Sequence, residues 1–218
     1  YGTELAVLVG DGLIVAAFEV LAAGCRRALT RLPSLVRAVS AGVGTAAGIV
    51  AGQAWESEPG LNLRAYHQAK TGALFEASAR AGAIAGGGDP EAWAPFGRCV
   101  GEAYQIADDI ADVVSSAASL GKPVGQDAAL QRPSAARALG VGGAHVRLEG
   151  LFEQLERAVP ACPGREGFGA WIAALRARIG PVRRGEPRVS REAFAAEKAD
   201  EHAGMSPSVY LDGVAASA

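Results

Sequence analysis

The sequence predicts an all-α protein, and three observations carry that expectation. Alanine and leucine dominate the 218 residues, and both are strong helix formers. Runs of β-branched residues with period-two alternation, the mark of half-buried strands, are scarce. Gly and Pro clusters at Glu58–Gly60, Gly86–Pro90, Gly121–Gly125 and Pro160–Gly167 cut the chain into long apolar-periodic stretches, as breakers between helices do.

Those breaks place helices over about 3–24, 33–55, 61–86, 91–118, 143–158 and 165–179. The first spans the apolar stretch Leu5–Leu21, interrupted by Asp11 and Glu19. Two carboxylates inside it point to a buried helix and not to a membrane span. The fourth has its start written into it. Asp89 is a natural N-cap, Pro90 suits the first helical position, and Glu91 sits in the first turn. From Pro181 onward the character changes, with Arg183, Arg184, Glu186, Pro187 and Arg188 followed by a mixed-charge run and a small, polar end. The expected organisation is one domain over 1–180 and a tail over 181–218.

Bulk properties exclude several functions. Half of the residues are hydrophobic, 20% are charged, and the formal net charge is -2. Such a balance offers no general attraction for nucleic acid or an anionic membrane. The three cysteines, Cys25, Cys99 and Cys162, are widely spaced. They suggest neither a disulfide framework nor a zinc site, and a cytoplasmic setting fits them best. The histidines His67, His145 and His202 are equally scattered and show no zinc-ligand spacing; His67 and His145 are expected to be surface or helix-face residues and not catalysts.

The most informative segment is Gly101-Glu102-Ala103-Tyr104-Gln105-Ile106-Ala107-Asp108-Asp109-Ile110-Ala111-Asp112. On a helix, Gln105, Asp108, Asp109 and Asp112 share an arc of roughly 100°. Carboxylates crowded on one face repel unless a cation sits among them. Hard oxygen ligands of this kind suit magnesium completed by substrate phosphates. A solvated acidic face would show the same pattern. Its neighbours Val100, Ile106, Ile110, Val113 and Val114 instead argue for a buried helix, where carboxylates need partners. Lysine occurs only at Lys70, Lys122 and Lys198. Lys70 lies within a helix and Lys122 in a Gly/Pro loop ten residues after Asp112. Each could contact phosphate as a point charge or simply snorkel to the surface.

Taken in order, five segments resemble the isoprenyl diphosphate synthases. They are Leu5-Ala6-Val7-Leu8-Val9-Gly10-Asp11-Gly12-Leu13; Gly52-Gln53-Ala54-Trp55-Glu56; Tyr66-His67-Gln68-Ala69-Lys70-Thr71-Gly72-Ala73-Leu74-Phe75; Tyr104 to Asp112; and Gly121-Lys122-Pro123-Val124-Gly125-Gln126-Asp127. Their wording is most similar to bacterial geranylgeranyl diphosphate synthases that feed carotenoid or bacteriochlorophyll pathways. The resemblance implies a helical bundle around a central cavity. The implied reaction is magnesium-dependent condensation of isopentenyl diphosphate with an allylic diphosphate, farnesyl to geranylgeranyl.

By resemblance, Asp108 and Asp112 hold magnesium, with Asp109 in support. Lys70 and Lys122 contact the allylic diphosphate, Thr71 and Gln105 lie beside the reacting carbons, and Tyr104 helps to line the homoallylic pocket. It also implies a homodimer when complete. The family's first aspartate-rich motif is expected upstream of Tyr1, so the natural N-terminus is expected to be missing and activity impaired. Two other readings are weighed. A non-catalytic regulatory paralogue would have no chemical reason to keep Asp108, Asp112 and Lys70. A terpene cyclase is disfavoured by Gln105 and the Gly-Lys loop.

Overall fold

The structure, a computed structural model, describes residues 2–55, 58, 62–114 and 134–180. The helices are α1 (Thr3–Gly24), α2 (Leu32–Val43), α3 (Ile49–Trp55), α4 (Leu63–His67), α5 (Ala73–Gly86), α6 (Pro90–Val114), α7 (Ala135–Ala158) and α8 (Arg165–Ile179). No strand occurs among the described residues, and the all-α expectation holds. Lys122, the end of the helix expected to reach 118, and the tail over 181–218 lie outside the described residues.

The core is built from α6, α7 and α8. Phe152, Leu148, Leu151 and Leu155 of α7 are almost completely buried. Their spacing of three and four residues makes one stripe. That stripe meets Phe96, Val100, Ala103, Ile106 and Ile110 of α6, and Ile172 and Ile179 of α8 complete the cluster. Ion pairs cross the same seams, Arg147 to Glu102 between α7 and α6, and Arg176 to Glu149 between α8 and α7. On its other side α6 packs along α5, and α5 in turn packs on α2. The start of α6 is as expected, because the Glu91 amide donates to Asp89 Oδ1 at 2.9 Å.

Four expectations are corrected. The helix expected over 33–55 is two, α2 and α3, separated at Gly44–Gly48. Gly44 leaves the helix in an extended conformation, and its amide closes α2 on the Ser40 carbonyl. The helix expected over 61–86 is interrupted by a π-type turn at Gln68–Gly72. The helix expected to begin at 143 begins at Ala135 and is kinked at Gly140, whose φ is 70°. The wording of that stretch, rich in glycine, conceals its helical first turns.

The fourth correction concerns α1. It is a helix over the residues expected, but it is not buried. None of its residues is buried, and Leu8, Leu13 and Val20 are each more than 60% exposed. Apolar composition says that a helix needs covering, not what covers it. Within this chain α1 meets α2 and the turn Cys25–Arg27, and most of its apolar surface is left bare. Among the described helices it alone is long and apolar enough to cross a bilayer.

Candidate active site

The π-type turn at Gln68–Gly72 positions the first group of site residues. A π turn widens the helix by one residue and redirects the side chains within it. Lys70 and Thr71 are both in it. Two close approaches hold the turn in place. A Cβ on Gly52 of α3 would lie 2.5 Å from Lys70 Cα, and one on Gly101 of α6 would lie 2.5 Å from Gly72 Cα. Only hydrogen at both positions lets α3 and α6 press against the turn from their two directions.

Lys70 Nζ donates to Tyr66 Oη at 2.7 Å and lies 5.1 Å from the centre of the same ring. Tyr66 is buried. Thr71 Oγ1 donates to Gln105 Oε1 at 2.6 Å, joining the turn to α6. Gln105 in turn donates through Nε2 to Asp109 Oδ1 at 2.8 Å. Asp108 and Asp112 lie within one and two turns beyond Gln105. Asp108 is exposed and Asp112 is buried. Tyr104 is half exposed, with its ring 5.4 Å from that of Phe75.

Asp109 differs from its neighbours. It is 1% exposed, and its second oxygen, Oδ2, accepts the Ala135 amide at 2.6 Å. Ala135 opens α7, whose own N-cap Ser134 makes no side-chain cap. The carboxylate of α6 thus supplies the cap, and α7's dipole favours its charge. Burial pushes the Asp109 carboxyl above the usual carboxylate range. The Ala135 and Gln105 hydrogen bonds and nearby His67 pull the other way. His67, expected on a helix face, is buried, with Nε2 3.9 Å from Asp109 Oδ2. Neither His67 nor Tyr66 was nominated from the sequence, although both open the family-like segment that carries Lys70, and Tyr66 stands four residues before it.

The structure therefore brings Thr71, Gln105 and Asp109 into one hydrogen-bonded chain, with Lys70 beside Thr71. No group of three or more His, Cys, Asp or Glu among the described residues is arranged to hold a metal ion by itself. Asp108 and Asp112 are hard oxygen donors on one helix face. That donor set suits a magnesium ion whose remaining ligands are water and substrate phosphate. A cavity of about 850 Å3 opens beside the site between α4, α6 and α7, lined by His67, Gln68, Arg98, Glu102, Ile106 and Arg147 among others. Among the described residues, Lys70, Thr71, Tyr104, Gln105, Asp108, Asp109 and Asp112 are not part of its lining.

The sequence profile of the polyprenyl synthetase family matches residues 1–149. The geranylgeranyl diphosphate synthase of Cereibacter sphaeroides is 44% identical over 182 residues, which is 84% of this chain and 63% of that protein. Its counterpart from Rhodobacter capsulatus is 46% identical over 164 residues, 75% of this chain and 57% of that protein. The chain thus spans less than two thirds of the length of either relative. Among solved structures, a geranyltransferase from Helicobacter pylori complexed with magnesium and isoprenyl diphosphate matches with a TM-score of 0.66. It is 29% identical, over 80% of this chain and 61% of that one.

Proposed function

From the premise that the chain belongs to the polyprenyl synthetase family, we propose that its site serves prenyl transfer. The reaction is condensation of isopentenyl diphosphate with an allylic diphosphate, farnesyl to geranylgeranyl. The observation that carries this reading is the Thr71–Gln105 hydrogen bond. It sets two polar oxygens side by side at the junction of the π turn and the carboxylate helix.

Several tasks fall to the chain's own residues. Lys70 and Lys122 hold the diphosphate as point charges, and Tyr66 keeps Lys70 oriented. Thr71 and Gln105 present oxygen lone pairs to the allylic carbon, where positive charge develops as the C–O bond opens; oriented dipoles of this kind stabilise such charge without reorganising. Tyr104 lines the pocket for the isopentenyl group, whose double bond attacks the allylic carbon as the C–O bond breaks; the cation so formed then loses a proton to the released diphosphate. Asp108 and Asp112 hold magnesium, which when bound neutralises the departing diphosphate. Asp109 supports these two by fixing the helix around them.

The setting is cytoplasmic, consistent with three free cysteines. The working form is a homodimer that covers α1; the carboxylates Asp11 and Glu19 favour a protein partner over lipid for that helix. We read 181–218 as a tail of separate role beside the domain's own stretch, 1–180.

The test is turnover of farnesyl diphosphate with labelled isopentenyl diphosphate and magnesium, beside an Asp112→Ala control. Elongated product that disappears in the control supports the reading. Absence of product, together with no magnesium-dependent binding of farnesyl diphosphate, would sink it.

A further inference from the structure

We infer that Asp109 is a positioning residue, which fixes the Gln105 side-chain amide with its nitrogen turned away from the site and its carbonyl turned toward Thr71. An ionised carboxylate only accepts hydrogen bonds, whereas a primary amide has one accepting end and one donating end. Asp109 Oδ1 faces Gln105 at 2.8 Å, so Gln105 must present Nε2 to it. Oε1 is then left to face Thr71, which donates at 2.6 Å. Asp109 cannot rotate to release the amide, because Oδ2 is held by the Ala135 amide at 2.6 Å and the side chain is 1% exposed.

The arrangement has a direction. The opening of α7 fixes Asp109, Asp109 fixes Gln105, and Gln105 fixes the Thr71 hydroxyl. The consequence for catalysis rests on the reading of Gln105 as a group facing the allylic carbon, while the orientation of the amide does not. Turned the other way, the same amide would aim N–H at a developing cation and oppose it. Asp109 then serves the reaction two residue contacts away from it, with both of its oxygens already engaged inside the protein.

Asp109→Asn tests this in the full chain. It keeps the shape, and the Asn oxygen still accepts the Ala135 amide. The Asn nitrogen then faces Gln105, whose amide must turn over to meet it. The readout is the side-chain amide resonance of Gln105 in 15N-labelled protein, assigned by its loss in Gln105→Glu. We expect that resonance to move further in Asp109→Asn than the amides of Gln53 and Gln154, with Thr71 shifting alongside it. The double variant Asp109→Asn with Gln105→Glu restores an acceptor toward Thr71. It should return the Thr71 resonance toward its original position.

A Gln105 resonance unmoved in Asp109→Asn would overturn the inference, as would a Thr71 shift that the double variant leaves uncorrected. Should Asp109→Asn unfold, Gln105→Glu alone decides. Placing a second carboxylate against Asp109 must lower its thermal stability below that of Gln105→Met, and equal stability overturns the inference. Neither readout requires turnover, so failure of the proposed reaction is seen separately.

Discussion

Gly52 of α3 stands against the backbone of Lys70, with room for a hydrogen and nothing larger. A methyl group there would meet main-chain atoms, which cannot swing aside as a side chain can. Gly52→Ala must push α3 off the π turn or flatten the turn, an overpacking cost of about 1–3 kcal/mol. We expect the midpoint of chemical denaturation to fall accordingly. Farnesyl diphosphate binding in magnesium should weaken further than the midpoint predicts, because Lys70 and Thr71 ride on the displaced backbone. Ala54→Gly, on the same helix, provides a control without the clash.

The carboxylates of α6 should separate by role. Asp108→Ala and Asp112→Ala are expected to weaken magnesium-dependent binding of farnesyl diphosphate by tenfold or more. The difference from wild type should vanish when magnesium is removed by a chelator. Asp109→Ala should instead lower stability first, since it strips the cap from α7, a loss of about 1 kcal/mol for the cap alone, and leaves the Gln105 amide unpaired. Calorimetric titration and thermal unfolding of the three variants distinguish these outcomes. Equal loss of stability in all three would contradict the assignment.

How much of this was legible in the sequence depends on the kind of interaction. Helix content, the Asp89 cap and the bounds of α1 and α8 follow from local propensity and capping chemistry, which the sequence carries directly. The break at Gly44–Gly48 and the π turn at Gln68–Gly72 do not, because apolar periodicity runs through both; packing against α3 and α6 holds the π turn. The candidate site divides in the same way. Lys70, Thr71 and Gln105 were nominated because their order along the chain resembles a family's. The inward turn of Asp109 toward Ala135 was hidden, because it joins residues 26 apart across two helices.

The core makes a sharp prediction at Phe152, which is completely buried between α6 and α8. Phe152→Ala should cost about 3–5 kcal/mol, the sum of lost transfer energy and an unfilled cavity. Phe152→Leu should recover the part of that loss due to the unfilled cavity, but not the contact of the Arg176 guanidinium, 5.2 Å from the ring centre, because leucine has no π face. Urea denaturation of the two variants measures both.

Cys99 gives a pH dependence. Its thiol donates to the Leu151 carbonyl at 3.4 Å. Burial first, and repulsion from Glu102 second, push its pKa up to about 11 from an ordinary value of 9.0. The folded state therefore keeps the proton longer than the unfolded chain does. Stability from this group is complete below pH 9.0 and is lost as pH rises toward about 11. Cys99→Ala should remove that part of the alkaline decline in unfolding free energy. At neutral pH the half-buried Cys162 should react with iodoacetamide well before Cys99 does, since the thiolate is the reactive species.

The bare face of α1 leads to the last prediction. Val9, Leu13 and Val20 are 54%, 67% and 68% exposed, and their spacing sets them on one side of the helix. A contiguous apolar face of this kind is rarely left in water. Compared at dilutions where both are monomeric, Leu13→Glu with Val20→Glu should have an unfolding free energy within about 0.5 kcal/mol of wild type, because neither side chain contributes to the core. If the face pairs two copies, sedimentation should shift from dimer to monomer in the variant. If α1 instead meets lipid, the wild type should float with neutral vesicles and the variant should not, with no change in sedimentation of the detergent-free protein. The two carboxylates already in the helix, Asp11 and Glu19, favour the first outcome. Burying them in a hydrocarbon layer would cost several kcal/mol, whereas a dimer interface can leave both at its rim.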